Sequence, residues 1–95
     1  MKKLFKFYVD YGRHGDIEGV FVAEEAEVTA ALGYTISFYE PWGKHSSAEC
    51  TLEASQFTVL TDDQDFIEKA QKYGIARHGV SPLGILADMK SDGLL

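Results

Sequence analysis

A stretch of alternating polarity, followed by a loop with two glycines and a second strand-like run, constrains this chain more than any other feature. In Leu4-Phe5-Lys6-Phe7-Tyr8-Val9-Asp10-Tyr11 the apolar positions Phe5, Phe7, Val9 and Tyr11 fall on one face at period two, which is the pattern of a half-buried strand. Gly12-Arg13-His14-Gly15-Asp16 follows, and its glycines tolerate the positive φ that a hairpin loop demands. Ile17–Ala23 then returns as a second strand, β-branched and aromatic at its centre. The two strands and the loop between them read as a hairpin at the start of the chain.

The remainder alternates helix and strand signals. Glu24–Leu32 carries Val28 and Leu32 four apart and stops at Gly33, the pattern of a short helix with a glycine just past its end. Ala23 is a poor N-cap, and three glutamates in the first turn compensate for it in part. Tyr34–Tyr39 predicts a third strand with Tyr34, Ile36 and Phe38 on one side, and Pro41–Ser47 a loop. Ala48–Glu53 predicts a fourth strand with Cys50 and Leu52 inward, and Phe57–Leu60 a fifth. Thr61 and Gln64 fit the capping-box spacing ahead of a helix whose stripe is Phe66, Ile67, Ala70 and Tyr73 and whose stop is Gly74. Ser81-Pro82-Leu83 predicts a short closing turn. The order ββαβββα gives an α+β fold: one mostly antiparallel sheet of about five strands, with two helices covering one face. Ninety-five residues make one domain, 1–95, able to bury roughly two-thirds of its unfolded surface.

Several function classes fall away on composition. No apolar run approaches the ~18 residues of a membrane span, and Met1–Lys6 has no secretory core. A lone cysteine, Cys50, excludes an internal disulfide and a cysteine-based zinc site. A cytoplasmic, reducing compartment is expected. The net charge of −6 is unevenly spread: +3 over residues 1–13, −11 over 14–68 and +2 over 69–95. Such a chain lacks the basic stripe that gripping a nucleic acid requires. Glu24, Glu25, Glu27 and Asp62, Asp63, Asp65 belong to predicted helix starts, where the dipole favours acids. Twelve aromatic residues exceed what one buried face needs, so some should line a pocket or a subunit contact, and a homodimer or higher oligomer is expected.

The candidate binding residues are the cations. Each histidine directly follows one, next to or near glycine: Arg13-His14, Lys44-His45 and Arg77-His78. Glycine-flanked cations with exposed backbone N–H groups suit recognition of phosphate or carboxylate. Ser46 and Ser47 add hydroxyl donors and Trp42 a stacking surface. On an up-and-down path Arg13-His14 and Arg77-His78 fall at one end of the sheet and Lys44-His45 at the other, so joining all three calls for a subunit interface. Metal binding by the histidines with Asp10 or Asp16 meets the same obstacle, and no metal or cofactor is expected. Nucleophilic chemistry by Cys50 or Ser46 with His45 conflicts with the core patterning of Cys50. The chain is therefore read as a binding protein and not an enzyme, a small hydrolase using His45 being the weakest alternative.

Glu18-Gly19-Val20-Phe21-Val22-Ala23, Gly43-Lys44-His45-Ser46, Thr51-Leu52-Glu53 and Thr61-Asp62-Asp63 with Phe66-Ile67, in that order, resemble a family of small uncharacterised bacteriophage and prophage proteins. The resemblance covers roughly residues 5–86, with one departure: Ser47 stands where the family pattern has an acid. It implies a context of binding host factors or sequestering host signals in the host cytoplasm. Two functions are carried forward: an oligomer that captures a small anionic, nucleotide-like ligand, and an acidic inhibitor or DNA mimic acting on a basic host protein through Glu24–Glu27 and Glu49–Glu53.

Overall fold

The protein is described by a computed structural model over residues 1–39 and 46–94, with no description of the Tyr39 side chain. Strands β1 (Lys2–Asp10) and β2 (Asp16–Glu24) form the hairpin, in register from Lys2 opposite Glu24 to Asp10 opposite Asp16. A single 3-10 turn over Gly12–His14 closes it, with Asp10 Oδ1 accepting from the Gly12 N–H at 2.7 Å. The alternation works as predicted. Phe5, Phe7, Ile17, Phe21 and Ala23 are buried on one face, and Phe5 stacks on Phe21 at 5.7 Å between ring centres.

Helix α1 (Glu25–Ala31) begins one residue later than its sequence suggests. Glu24 is the N-cap, and the Glu27 carboxylate reaches back to accept from the Glu24 N–H at 2.9 Å. Strands β3 (Thr35–Tyr39) and β4 (Ser47–Thr51) then pair with each other in a separate two-stranded sheet. Their inward residues Ile36, Phe38, Cys50 and Leu52 join the core of the first sheet, Phe38 lying 6.3 Å from Phe7. Tyr34 departs from the expected stripe: it is exposed, with Lys90 Nζ 4.5 Å above its ring.

A 3-10 turn at Ala54–Gln56 leads into β5 (Phe57–Thr61), which pairs with β1 and slips register between Leu4 and Phe5 so that Leu60 has no partner. Helix α2 (Gln64–Lys72) is capped by Asp63, whose carboxylate accepts from the N–H groups of Asp65 and Phe66. The expected Thr61/Gln64 box does not form. Thr61 Oγ1 instead accepts from the Asp63 N–H, and the Gln64 amide donates to the carbonyls of Asp62 and Lys2. A carboxylate next to the helix start wins because it satisfies two orphan N–H groups and meets the positive end of the dipole. Only Ile67 and Ala70 of the predicted stripe are buried, while Phe66 and Tyr73 are exposed.

A two-residue strand, β6 (His78–Gly79), joins the other side of β2, giving the order β5-β1-β2-β6 with every pair antiparallel. The predicted closing turn is a full helix, α3 (Pro82–Ser91), capped by Ser81 and burying Pro82 and Leu86. It packs on β3 and α1. Helix α2 packs on β1, where Leu4 alternates to the face opposite Phe5 and is buried apart from the main core. The fold is α+β and mostly antiparallel, as the sequence indicates, but its helices lie on both sides of the sheet.

Candidate functional site

Among the described residues Arg77 is an exposed cation that lines a depression beyond the end of α2. Just past the end of α2, Gly74 with a φ of 73° turns the chain so that the Ile75 N–H reaches the Ala70 carbonyl at 2.9 Å. Buried Ala76 anchors the crossing, and β6 then docks against β2 with Gly79 opposite Gly19 and His78 opposite Val20. Gly19 makes that docking possible. A Cβ there would stand 1.8 Å from the Val80 carbonyl oxygen, so no other residue allows the two backbones so close. The chain passes straight into Ser81, whose Oγ accepts from the Gly84 N–H at 3.4 Å and starts α3.

Arg77 consequently stands in a depression of about 400 Å³ walled by Phe21, Val22, Gln71, Gly74, Ala76 and Ser81. Its guanidinium lies beside the first turn of α3, with Nη2 3.7 Å from where a Cβ on Gly84 would be. That turn holds no acidic residue, and among the described residues Arg77 makes no salt bridge. An exposed cation thus sits beside the positive end of a helix dipole, an arrangement that a bound anion relieves. Gln71 and Ser81 are polar residues of the same lining, and Val22 is its apolar residue from β2, the Phe21 ring being buried in the core on the opposite face.

The other predicted site residues are elsewhere. Arg13 and His14 are exposed on the β1–β2 turn. His78 opposes Val20, four residues along β2 from Asp16, so it lies roughly 13 Å or more from the hairpin end. The expected meeting of Arg13-His14 with Arg77-His78 at one end of the sheet therefore does not occur within a subunit, because Gly19 admits β6 partway down β2. Ser47 opens β4 opposite Tyr39, and Ser46 precedes it. Trp42, Lys44 and His45 lie outside the described residues.

Cys50 sits in the core, as its alternation with Leu52 indicates. Burial pushes its thiol pKa up, and the Gln56 amide donates to Sγ at 3.3 Å. Nearby, the Tyr11 hydroxyl donates to the Glu49 carbonyl at 2.7 Å and ties the first hairpin to β4; burial raises its pKa too. Among the described residues no group of three or more His, Cys, Asp or Glu side chains is placed to hold a metal ion, and no helix is long and apolar enough to cross a membrane.

No family model, curated protein or solved structure matches this chain. The site must be judged on its own geometry. Sequence reasoning singled out Arg77 for its neighbours in the chain, and missed Gln71, Ser81, Phe21 and Val22 as its neighbours in space. Only Ser81 carried a signal, the Ser-Pro helix start that puts a dipole beside the arginine.

Proposed function

We propose that this protein is a non-catalytic binding protein that captures a small anionic ligand at Arg77, with a nucleotide phosphate as the fitting chemistry. The observation that carries the reading is the uncompensated positive charge: a guanidinium with no described acidic partner, set against an acid-free helix start. Arginine's planar fork suits a phosphate or carboxylate, and the depression is of the size that ligand pockets have. In the phage setting that the sequence resemblance implies, such a ligand would be a host nucleotide signal, and capture in an oligomer would lower its free concentration. The acidic-inhibitor alternative is weaker. On its Glu24–Glu27 segment Glu24 and Glu25 pair with the N-terminal amine and Lys3 and Glu27 accepts from the Glu24 N–H, which leaves Glu49 and Glu53 as the exposed acids it can use.

The test is thermal shift and calorimetry with inorganic phosphate and a panel of linear and cyclic nucleotides. A ligand at a hundred times its Kd stabilises by about 2.7 kcal/mol. The shift should vanish in Arg77→Glu and persist in Arg13→Ala. No shift with any nucleotide or with phosphate, or a shift unchanged by Arg77→Glu, overturns the reading.

A further inference from the structure

Residues 53–68 run from Glu53 through β5 into α2 and carry five acids and no base. Glu53 lies behind the strand, and Asp62, Asp63, Asp65 and Glu68 lie ahead of it. Between these acids two large apolar side chains stay open to solvent: Leu60 is 48% and Phe66 50% exposed. Both line a depression of about 360 Å³ with Leu4, Thr61 and Asp63, and buried Leu4 supplies its floor. The walls are tied to one another. Thr61 Oγ1 accepts from the Asp63 N–H at 3.1 Å, the Asp63 carboxylate accepts from the Phe66 N–H at 3.3 Å, and the Gln64 amide donates to the Lys2 carbonyl at 2.6 Å. A hollow held in this way needs little further ordering when a partner enters it. The β5 backbone itself is a poor template, because the pairing with β1 skips Leu60 and such a bulge protects an edge from a further strand. Recognition at this corner therefore runs through side chains.

We propose that the hollow docks a segment of a partner protein in which one large apolar side chain is flanked by lysine or arginine. Charge complementarity selects that chemistry. Against the five acids, β1 brings Lys2 and Lys3 to this corner, and Lys3 is already paired with Glu25 at 2.7 Å, so the balance stays acidic. The partner's apolar side chain fills the space beside Leu60 and Phe66 over Leu4. Its cations meet exposed Asp62 and Asp65 on one side and Glu53 on the other, roughly 13 Å or more away along β5. An acidic segment, a nucleic acid, an anionic membrane or a second copy presenting the same corner is repelled. The Arg77 depression shares no lining residue with this hollow, so the docking surface stands or falls apart from the anion-binding reading.

The test is selection of a displayed library of random short peptides against the immobilised full chain, with the enriched peptide then synthesised and titrated into isotope-labelled protein. Enriched sequences should carry a leucine, phenylalanine or tryptophan between lysines or arginines, and the peptide should move the amide signals of Leu60, Thr61 and Phe66. Phe66→Ala and Leu60→Ala truncate exposed side chains, so each variant should keep its far-UV spectrum and lose about tenfold in peptide affinity. Asp62→Asn combined with Asp65→Asn, or a rise in salt from 0.1 to 1 M, should weaken binding by about the same factor. Tyr73→Ala, which removes an exposed aromatic of the α2 end outside the hollow, should change nothing. No enrichment over a blank surface, enriched peptides without basic residues, or binding indifferent to Phe66→Ala or to salt overturns the proposal. So does a hollow filled by a second copy, seen in native mass spectrometry as a dimer that Phe66→Ala dissociates.

Discussion

Replacing Gly19 with alanine should undock β6. Gly19 does not sit in the left-handed region, so its own backbone accepts alanine, and the conflict is entirely with Val80. The new Cβ would lie 1.8 Å from the Val80 carbonyl oxygen, 2.6 Å from its nitrogen and 2.7 Å from its carbonyl carbon, all backbone atoms with no rotamer to escape into. Relief requires Val80 to retreat by more than an ångström. That motion stretches the hydrogen bond from the Val80 N–H to the Glu18 carbonyl, now 3.1 Å, and pulls on Ser81 and the α3 helix behind it. Overpacking costs about 1–3 kcal/mol and the lost hydrogen bond about 1, so a loss of about 2–4 kcal/mol is expected. For a domain of this size that lowers Tm by about 8 °C or more, at roughly 4–8 °C per kcal/mol. Gly12→Ala is the control. Nothing lies within 4 Å of its Cβ position, and its φ of 65° leaves only the conformational cost of roughly 1–2 kcal/mol. Urea unfolding of both variants, with amide exchange at Val80, separates steric undocking from backbone strain. If Gly19→Ala unfolds within about 0.5 kcal/mol of the parent and Val80 keeps its protection, the reasoning about this close approach is wrong.

Asp63→Ala should remove the α2 cap and cost about 1 kcal/mol, while Gln64→Ala, outside the cap, costs less; matched urea titrations decide the order. Cys50 should make stability fall on the alkaline side. Its folded pKa is raised by burial, so its contribution is fully present below the ordinary thiol value and is lost as pH climbs through the folded one. The slope arises because the unfolded chain ionises first. Urea midpoints above pH ~8.5 should decline less steeply in Cys50→Ala than in the parent, with the residual slope coming from Tyr11 and Tyr8, which are raised in the same sense. A slope unchanged in Cys50→Ala would remove the thiol from the account.

Much of the architecture was legible because it depends on short-range rules. Alternation over 4–11 and 48–53 put Phe5, Phe7, Cys50 and Leu52 inward, and each of these is buried. Helix starts were read less well. Glutamate and aspartate occupy the N-cap positions of α1 and α2, and among several neighbouring acceptors the one that caps is chosen by backbone geometry after folding. The length of α3 was hidden because Gly84 weakens its helical signal, while burial of Pro82 and Leu86 against the rest of the protein sustains it.

The site shows the same divide more sharply. Arg77 stood out in the chain because of His78 and Gly79, yet what surrounds it comes from β2, the end of α2 and the start of α3. Its separation from Arg13 follows from where β6 enters the sheet, and that point is set by one missing side chain at Gly19. Periodicity reports which face of an element is apolar, since that is a property of neighbours in the chain. Where two backbones may touch, and which polar groups then share a hollow, depends on contacts between residues 60 positions apart, and only packing in three dimensions decides it.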